Sequence, residues 1–215
     1  MSDLVTRPRN SNIWERESDD FYMEPQWTSV RLFQTRTFRP GMTVLDPACG
    51  TGSIVKAACE AGMHGLGSDI VPRWLARPGS GIYLESNFLA PTLSEGGWPA
   101  RQTPGWQFPD AIVSNPPFKH AQWFAELALE RAVSIVALLL PTKWLHGATR
   151  AKWLSTTPLH RVWLLTPRPS MPPGHVILEG GKAGSGTVDF AWMVWLKGYD
   201  GAPQIGWLNR DVRPD

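Results

Sequence analysis

The sequence predicts an α/β fold, a mainly parallel sheet of about seven strands with helices on both faces. Three observations carry this. Short apolar runs alternate with segments of helical length rather than with tight hairpins, which is the pattern of βα units. Residues 135–140 are apolar throughout, as a strand covered on both faces must be. Residues 42–45 lead through a Gly-rich turn over 46–52 directly into a helix-like segment that opens at Ser53, a plausible N-cap.

Taken in order, residues 1–20 are polar and expected to be mobile, and one domain is expected over 21–215. A helix is predicted over 28–37, then strands over 42–46, 64–69 and 81–84, with a helix over 53–62 between the first two. Strands over 110–114, 133–140 and 160–165 follow, separated by helices over 119–131 and 147–155. In the 119–131 helix, Trp123, Phe124, Leu127 and Leu129 are expected to face the sheet. Two stretches rich in Gly, Pro and Ser, 79–105 and 167–186, read as loop insertions. A parallel sheet of this kind binds ligands at the carboxyl ends of its strands, where both informative motifs fall.

The first motif is Asp46-Pro47-Ala48-Cys49-Gly50-Thr51-Gly52. Its glycines permit close backbone approach to a ligand. A Walker loop would need Lys and then Ser or Thr after the last glycine, and a dinucleotide fingerprint would need a third glycine where Val55 stands. The remaining reading is a nucleoside pocket without a phosphate: Asp46 polarises the turn, and Asp69, after the next strand, takes both hydroxyls of a ribose. The second motif is Asn115-Pro116-Pro117-Phe118. Proline lacks an N–H and holds φ near −65°, so the segment leaves the sheet with acceptors to spare. The Asn115 amide oxygen and the Pro116 carbonyl can accept both hydrogens of one amino group while Phe118 covers the ring that carries it. Alone, the tetrapeptide also fits an ordinary Pro-rich turn.

Together these residues resemble the class I, Rossmann-like S-adenosylmethionine-dependent amino-methyltransferases, in particular the adenine-N6 branch with its DPxxGTG turn and NPPY or NPPF claw. The order of the motifs is similar to the gamma arrangement of DNA enzymes and to several RNA adenine enzymes, and the overall layout to phage or prophage proteins. The resemblance implies that residues 46–52 surround the methionine part of the cofactor, that Asp69 with Ile70 holds the ribose, and that Asn115 to Phe118 hold the target amine. It places the cofactor adenine at Asn87 and Phe88, with Asn in place of the usual Asp. It carries Tyr22, Glu24 and Pro25 to the cofactor as well, with Glu24 where Thr is usual. It implies an antiparallel seventh strand over 189–196, to which residues 205–208 add an edge.

Net charge is +2, but no Asp or Glu falls between Arg131 and Leu178, whereas Arg and Lys recur there. Lys119, Lys143, Trp144, Arg150 and Arg168 are the candidate nucleic-acid contacts, Trp144 as a stacking surface and residues 169–174 as a small wedge or groove reader. DNA is favoured over RNA as partner, and monomer and homodimer both stay open. The two cysteines make no metal or disulfide spacing, no histidine pair has ligand spacing, and no apolar run approaches a membrane span. A soluble, cytoplasmic protein without a metal is expected, and cytosine C5 chemistry, which needs a thiolate, is disfavoured. The chemistry expected is N6-methylation of adenine in DNA with short or relaxed specificity. RNA adenine, cytosine N4 and protein glutamine present the same planar amine, and a cofactor-binding module that masks DNA is the non-enzymatic alternative.

Overall fold

The computed structural model of the chain describes residues 21–74, 81–90 and 108–214. The expectations for residues 1–20 and for most of the 79–105 loop lie outside them. One eight-stranded sheet runs β1 (Thr43–Asp46), β2 (His64–Asp69), β3 (Ile82–Glu85), β4 (Ala111–Ser114), β5 (Ile135–Pro141), β6 (Leu159–Thr166), β7 (Phe190–Leu196) and β8 (Gln204–Asn209). The spatial order is β3-β2-β1-β4-β5-β7-β6-β8. Only β7 runs antiparallel to its neighbours, pairing with β5 and β6. The edge strand foreseen over 205–208 is a full partner, parallel to β6 from Arg161↔Gln204 to Thr166↔Asn209, so the sheet has eight strands rather than seven.

Helices α1 (Trp27–Phe33), α2 (Ser53–Glu60), α3 (Ala121–Arg131), α4 (Ala148–Leu154) and α5 (Gly174–Leu178) complete the fold. The period-2 alternation of strand side chains sends successive residues to two cores on opposite faces. Val136, Leu138, Leu140, Met193 and Trp195 meet α3 and α4 residues such as Phe124, Ala128 and Leu154. Ile135, Ala137, Leu139, Trp192 and Val194 meet α1 and α2 residues such as Leu32, Ile54 and Ala58. Central strands buried on both sides explain the unbroken apolar run of β5.

Trp192 is fully buried, and its indole Nε1–H donates to the Thr28 carbonyl at 3.0 Å, which ties α1 to the sheet. Trp192→Ala is expected to cost about 3–5 kcal/mol, the range for deleting a large buried aromatic. Urea unfolding of the variant measures it.

Three local expectations are corrected. The 167–186 stretch contains the helix α5, and Pro172, Pro173 and Gly174 are buried rather than projecting as a wedge. Met23 N–H donates to the Pro172 carbonyl and Gly174 N–H to the Phe21 carbonyl, so this segment straps the amino-terminal residues down. On α3, Trp123 is 48% exposed instead of facing the sheet. Ser53 is the first helical residue, and Gly52, with φ of 88°, is the N-cap. Among the described residues no helix is long and apolar enough to cross a membrane.

Candidate active site

β1, β2 and β4 end side by side because they are neighbours in one parallel sheet, and the chain leaves each through a motif residue. Asp46 closes β1, Asp69 closes β2, Ser86 and Asn87 follow β3, and Asn115 follows β4. Around them lies a cavity of about 660 Å³, within the roughly 300–1,000 Å³ of small-molecule sites. Its wall joins Tyr22, Glu24, residues 46–51, Asp69, Ile70, Asn87, Phe88, Asn115, Pro117 and Lys119. Pro25, Gly52, Pro116 and Phe118 are not in that wall.

The Gly50 turn is held from β2. Asp69 Oδ2 accepts the Gly50 N–H at 2.8 Å and Oδ1 accepts the Val71 N–H at 3.0 Å, with Arg73 Nη1 at 3.7 Å from Oδ1. Each carboxylate oxygen keeps a lone-pair site for a further donor. Gly50 has φ of 50°, and a Cβ there would come within 2.7 Å of the Phe21 ring, which in turn lies 4.4 Å below the Arg73 guanidinium. Glycine thus allows the amino-terminal segment to fold over the turn. Asn87 Oδ1 accepts the Leu89 N–H at 3.0 Å. Arg131 braces the neighbouring Phe88, donating to its carbonyl at 2.7 Å with the guanidinium over its ring.

Asp46 is buried, and its Oδ1 accepts the Ser114 hydroxyl at 2.7 Å and the Ala48 N–H at 3.1 Å. Burial raises its carboxyl well above the ordinary 3.8; the Ser114 bond opposes this, and the charges of Glu24 and Asp69 add to it. Burial likewise pushes up the Glu24 carboxyl, against hydrogen bonds from its own backbone, Asn115 and Ser53. Burial and the nearby carboxylates push the Cys49 thiol up too, so it is held protonated and is a poor nucleophile. A carboxyl whose folded value is raised contributes stability that is complete below its unfolded value and is lost as pH rises through the folded one. The protein should therefore lose stability as pH rises from the ordinary range of Asp46, and Asp46→Asn should flatten that slope. Thermal unfolding of both forms from acidic to neutral pH measures it.

At the claw, Asn115 Nδ2 donates to the Tyr22 carbonyl at 2.9 Å and to Glu24 Oε2 at 3.0 Å. Phe118, expected to cover the target ring, packs parallel to Tyr22 with centroids 6.1 Å apart and tilts against Phe190. Of these stacked rings, Tyr22 lines the cavity and Phe118 does not. Trp144 is also buried, edge-on to Trp153 and under the Arg150 guanidinium, so neither face is open to a base. Arg150 donates to the Trp144 carbonyl, and Arg168 pairs with Asp189 at 2.5 Å. Lys143 is exposed, and Lys119 and His120 are exposed beside the claw.

Sequence reasoning missed Trp123, Ser86 and Leu89 in the cavity wall and Ser114 beneath Asp46. Only Ser114 had a visible cue, as the residue immediately before the claw.

No family model matches the chain, and no curated protein matches it in sequence. Solved structures match in fold. A type I restriction-modification methyltransferase subunit from Streptococcus thermophilus aligns with a TM-score of 0.59 at 15% identity, over 85% of this chain and 46% of that one. A proposed class I S-adenosylmethionine-dependent methyltransferase from Listeria monocytogenes aligns at 0.56 and 15%, over 90% and 67%. The EcoKI M protein of a type I restriction enzyme aligns at 0.56 and 16%, over 85% and 45%. The chain spans about half the length of these two restriction-modification subunits. The mainly parallel sheet with helices on both faces is thus the class I, Rossmann-like methyltransferase fold.

Proposed function

We propose that this protein is an S-adenosylmethionine-dependent methyltransferase that acts on the N6 amine of adenine in DNA, with short or relaxed sequence specificity. The observation that carries the proposal is that one cavity gathers the Gly50 turn, Asp69, Asn87 and Asn115 at the ends of adjacent strands. The likeness to two restriction-modification methyltransferase subunits supports DNA as the substrate.

The residues present fit the cofactor. Asp69 retains acceptor capacity for ribose hydroxyls. Asn87 offers an amide donor to a purine nitrogen. Glu24, Asp46 and Asp69 place three acidic groups around the turn, and a bound cation would favour their ionised forms. S-adenosylmethionine, when bound, supplies a methyl group activated by its sulfonium. The chain's task is to orient a weak nucleophile, because the lone pair of an adenine amine is delocalised into its ring. From the cavity wall, Asn115 Oδ1 accepts an N–H hydrogen of that amine and draws the nitrogen toward a tetrahedral shape, so positioning and electrostatics act without a titrating base. Tyr22 offers a ring face to a base that has left the stack, and Lys119 and Lys143 neutralise phosphates.

Competition of single-stranded DNA, duplex DNA and RNA of one sequence for labelled methyl tests the substrate. Labelled DNA is expected to dominate, single-stranded or mismatched above paired. Label confined to RNA would replace DNA with RNA in the assignment.

A further inference from the structure

Glu24 occupies a position where the resemblance expects Thr and assigns a cofactor contact, yet its Oε2 accepts a hydrogen bond from the claw. Asn115 Nδ2 has two hydrogens and both are used, one on the Tyr22 carbonyl and one on Glu24 Oε2. The side chain then has only Oδ1 to offer the cavity. Reversing the amide would set that oxygen against two acceptors at hydrogen-bond distance, a repulsive contact that also wastes the donors. Glu24 is itself held by the hydroxyl of Ser53 at the start of α2, so the cofactor turn and the claw are joined through one carboxylate.

We propose that Glu24 is a positioning residue that locks the Asn115 amide with its oxygen toward the substrate amine, and that this lock requires the carboxylate form. The proposal rests on Asn115 holding a substrate amine. A carboxylic acid at position 24 can donate a hydrogen bond to the reversed amide, which removes one of the two repulsions, leaves only that with the Tyr22 carbonyl, and so weakens the lock. The groups that share Glu24's surroundings are Asp46 from β1, Asp69 from β2 and the Cys49 thiol in the turn, with Lys119 and His120 on the cavity wall and Arg73 beyond Asp69. Burial favours the protonated form of Glu24, against the hydrogen bonds from its own backbone, Asn115 and Ser53, which makes the lock sensitive to pH.

The test follows the Asn115 side-chain amide in ¹⁵N-labelled protein without cofactor or nucleic acid, its signal assigned by its disappearance in Asn115→Ala. In the native protein the amide pair is expected to shift through one titration step that lies above the ordinary carboxylate range. In the near-isosteric Glu24→Gln that step is expected to vanish. Kinetics then separate the two roles open to Glu24. As positioning residue, its removal in Glu24→Ala lowers kcat by about 10²-fold at saturating cofactor, the scale of a misplaced reacting group. The acid-side rise of kcat disappears in Glu24→Gln. A variant that loses cofactor affinity but keeps native kcat and its pH profile at saturation would overturn the proposal in favour of a cofactor contact. An Asn115 signal indifferent to both substitutions would overturn it regardless of activity. A titrating amide in a protein that transfers no methyl group would leave the lock standing and reject methyl transfer.

Discussion

Asn115→Ala is expected to lower kcat for methyl transfer by about 10²–10³-fold or more, the scale of deleting one preorganised polar partner of a transition state. Cofactor affinity should stay close to native. Asn115 reaches the rest of the protein through Tyr22 and Glu24 rather than through the Gly50 turn. Its loss leaves Asp69 and Asn87 with every bond they make to Gly50, Val71 and Leu89. Single-turnover transfer of labelled methyl, with cofactor binding measured separately, checks both halves. Transfer at the native rate would remove Asn115 from the reaction. A parallel collapse of cofactor affinity would make it part of the cofactor pocket instead.

Asp69→Ala should fail in the complementary way. The carboxylate holds Gly50 and Val71 N–H groups and approaches Arg73, and Arg73 in turn lies over the Phe21 ring that covers Gly50. Hydrogen bonds to a charged group contribute about 1.5–3 kcal/mol each, so the folded protein should lose roughly that much for the buried Gly50 amide left unpaired. Losing a ribose contact of about 3 kcal/mol together with the shaped turn should weaken cofactor binding by about 10²-fold. Calorimetric titration gives the affinity and urea unfolding the stability. Asp69→Asn restores one acceptor and should recover part of both. Native cofactor affinity in a folded Asp69→Ala protein would exclude position 69 from the site.

The sheet was legible because its central strands combine burial on both faces with Gly and Pro punctuation. β5 reads as an unbroken apolar run, and the turn after β1 needs Gly50 and Gly52 for its positive φ values. The strand ends lie within a residue or two of the expected ones for the same reason. Contacts between distant segments were not legible. Glu24 and Asn115 are 91 residues apart, and no local pattern announces that an acid near the amino terminus will bond to an amide after β4. Trp144 looked like a stacking surface because it follows Lys143 at a strand end, but packing against Trp153 and Arg150 decides its burial. Trp123 fitted a helical apolar stripe, and the opening of the cavity beside α3 leaves it half exposed. The wedge expected at 169–174 failed because a Pro-rich segment can equally serve as a strap when an extended segment, here residues 21–23, pairs with it.

Mass spectrometry of nucleosides, from DNA incubated with the protein and S-adenosylmethionine, tests most directly whether the cavity brings an adenine amine to the claw. N6-methyldeoxyadenosine that forms with the native protein and disappears with Asn115→Ala is the expected result. Methylation confined to cytosine, or an equal yield from both proteins, would contradict it.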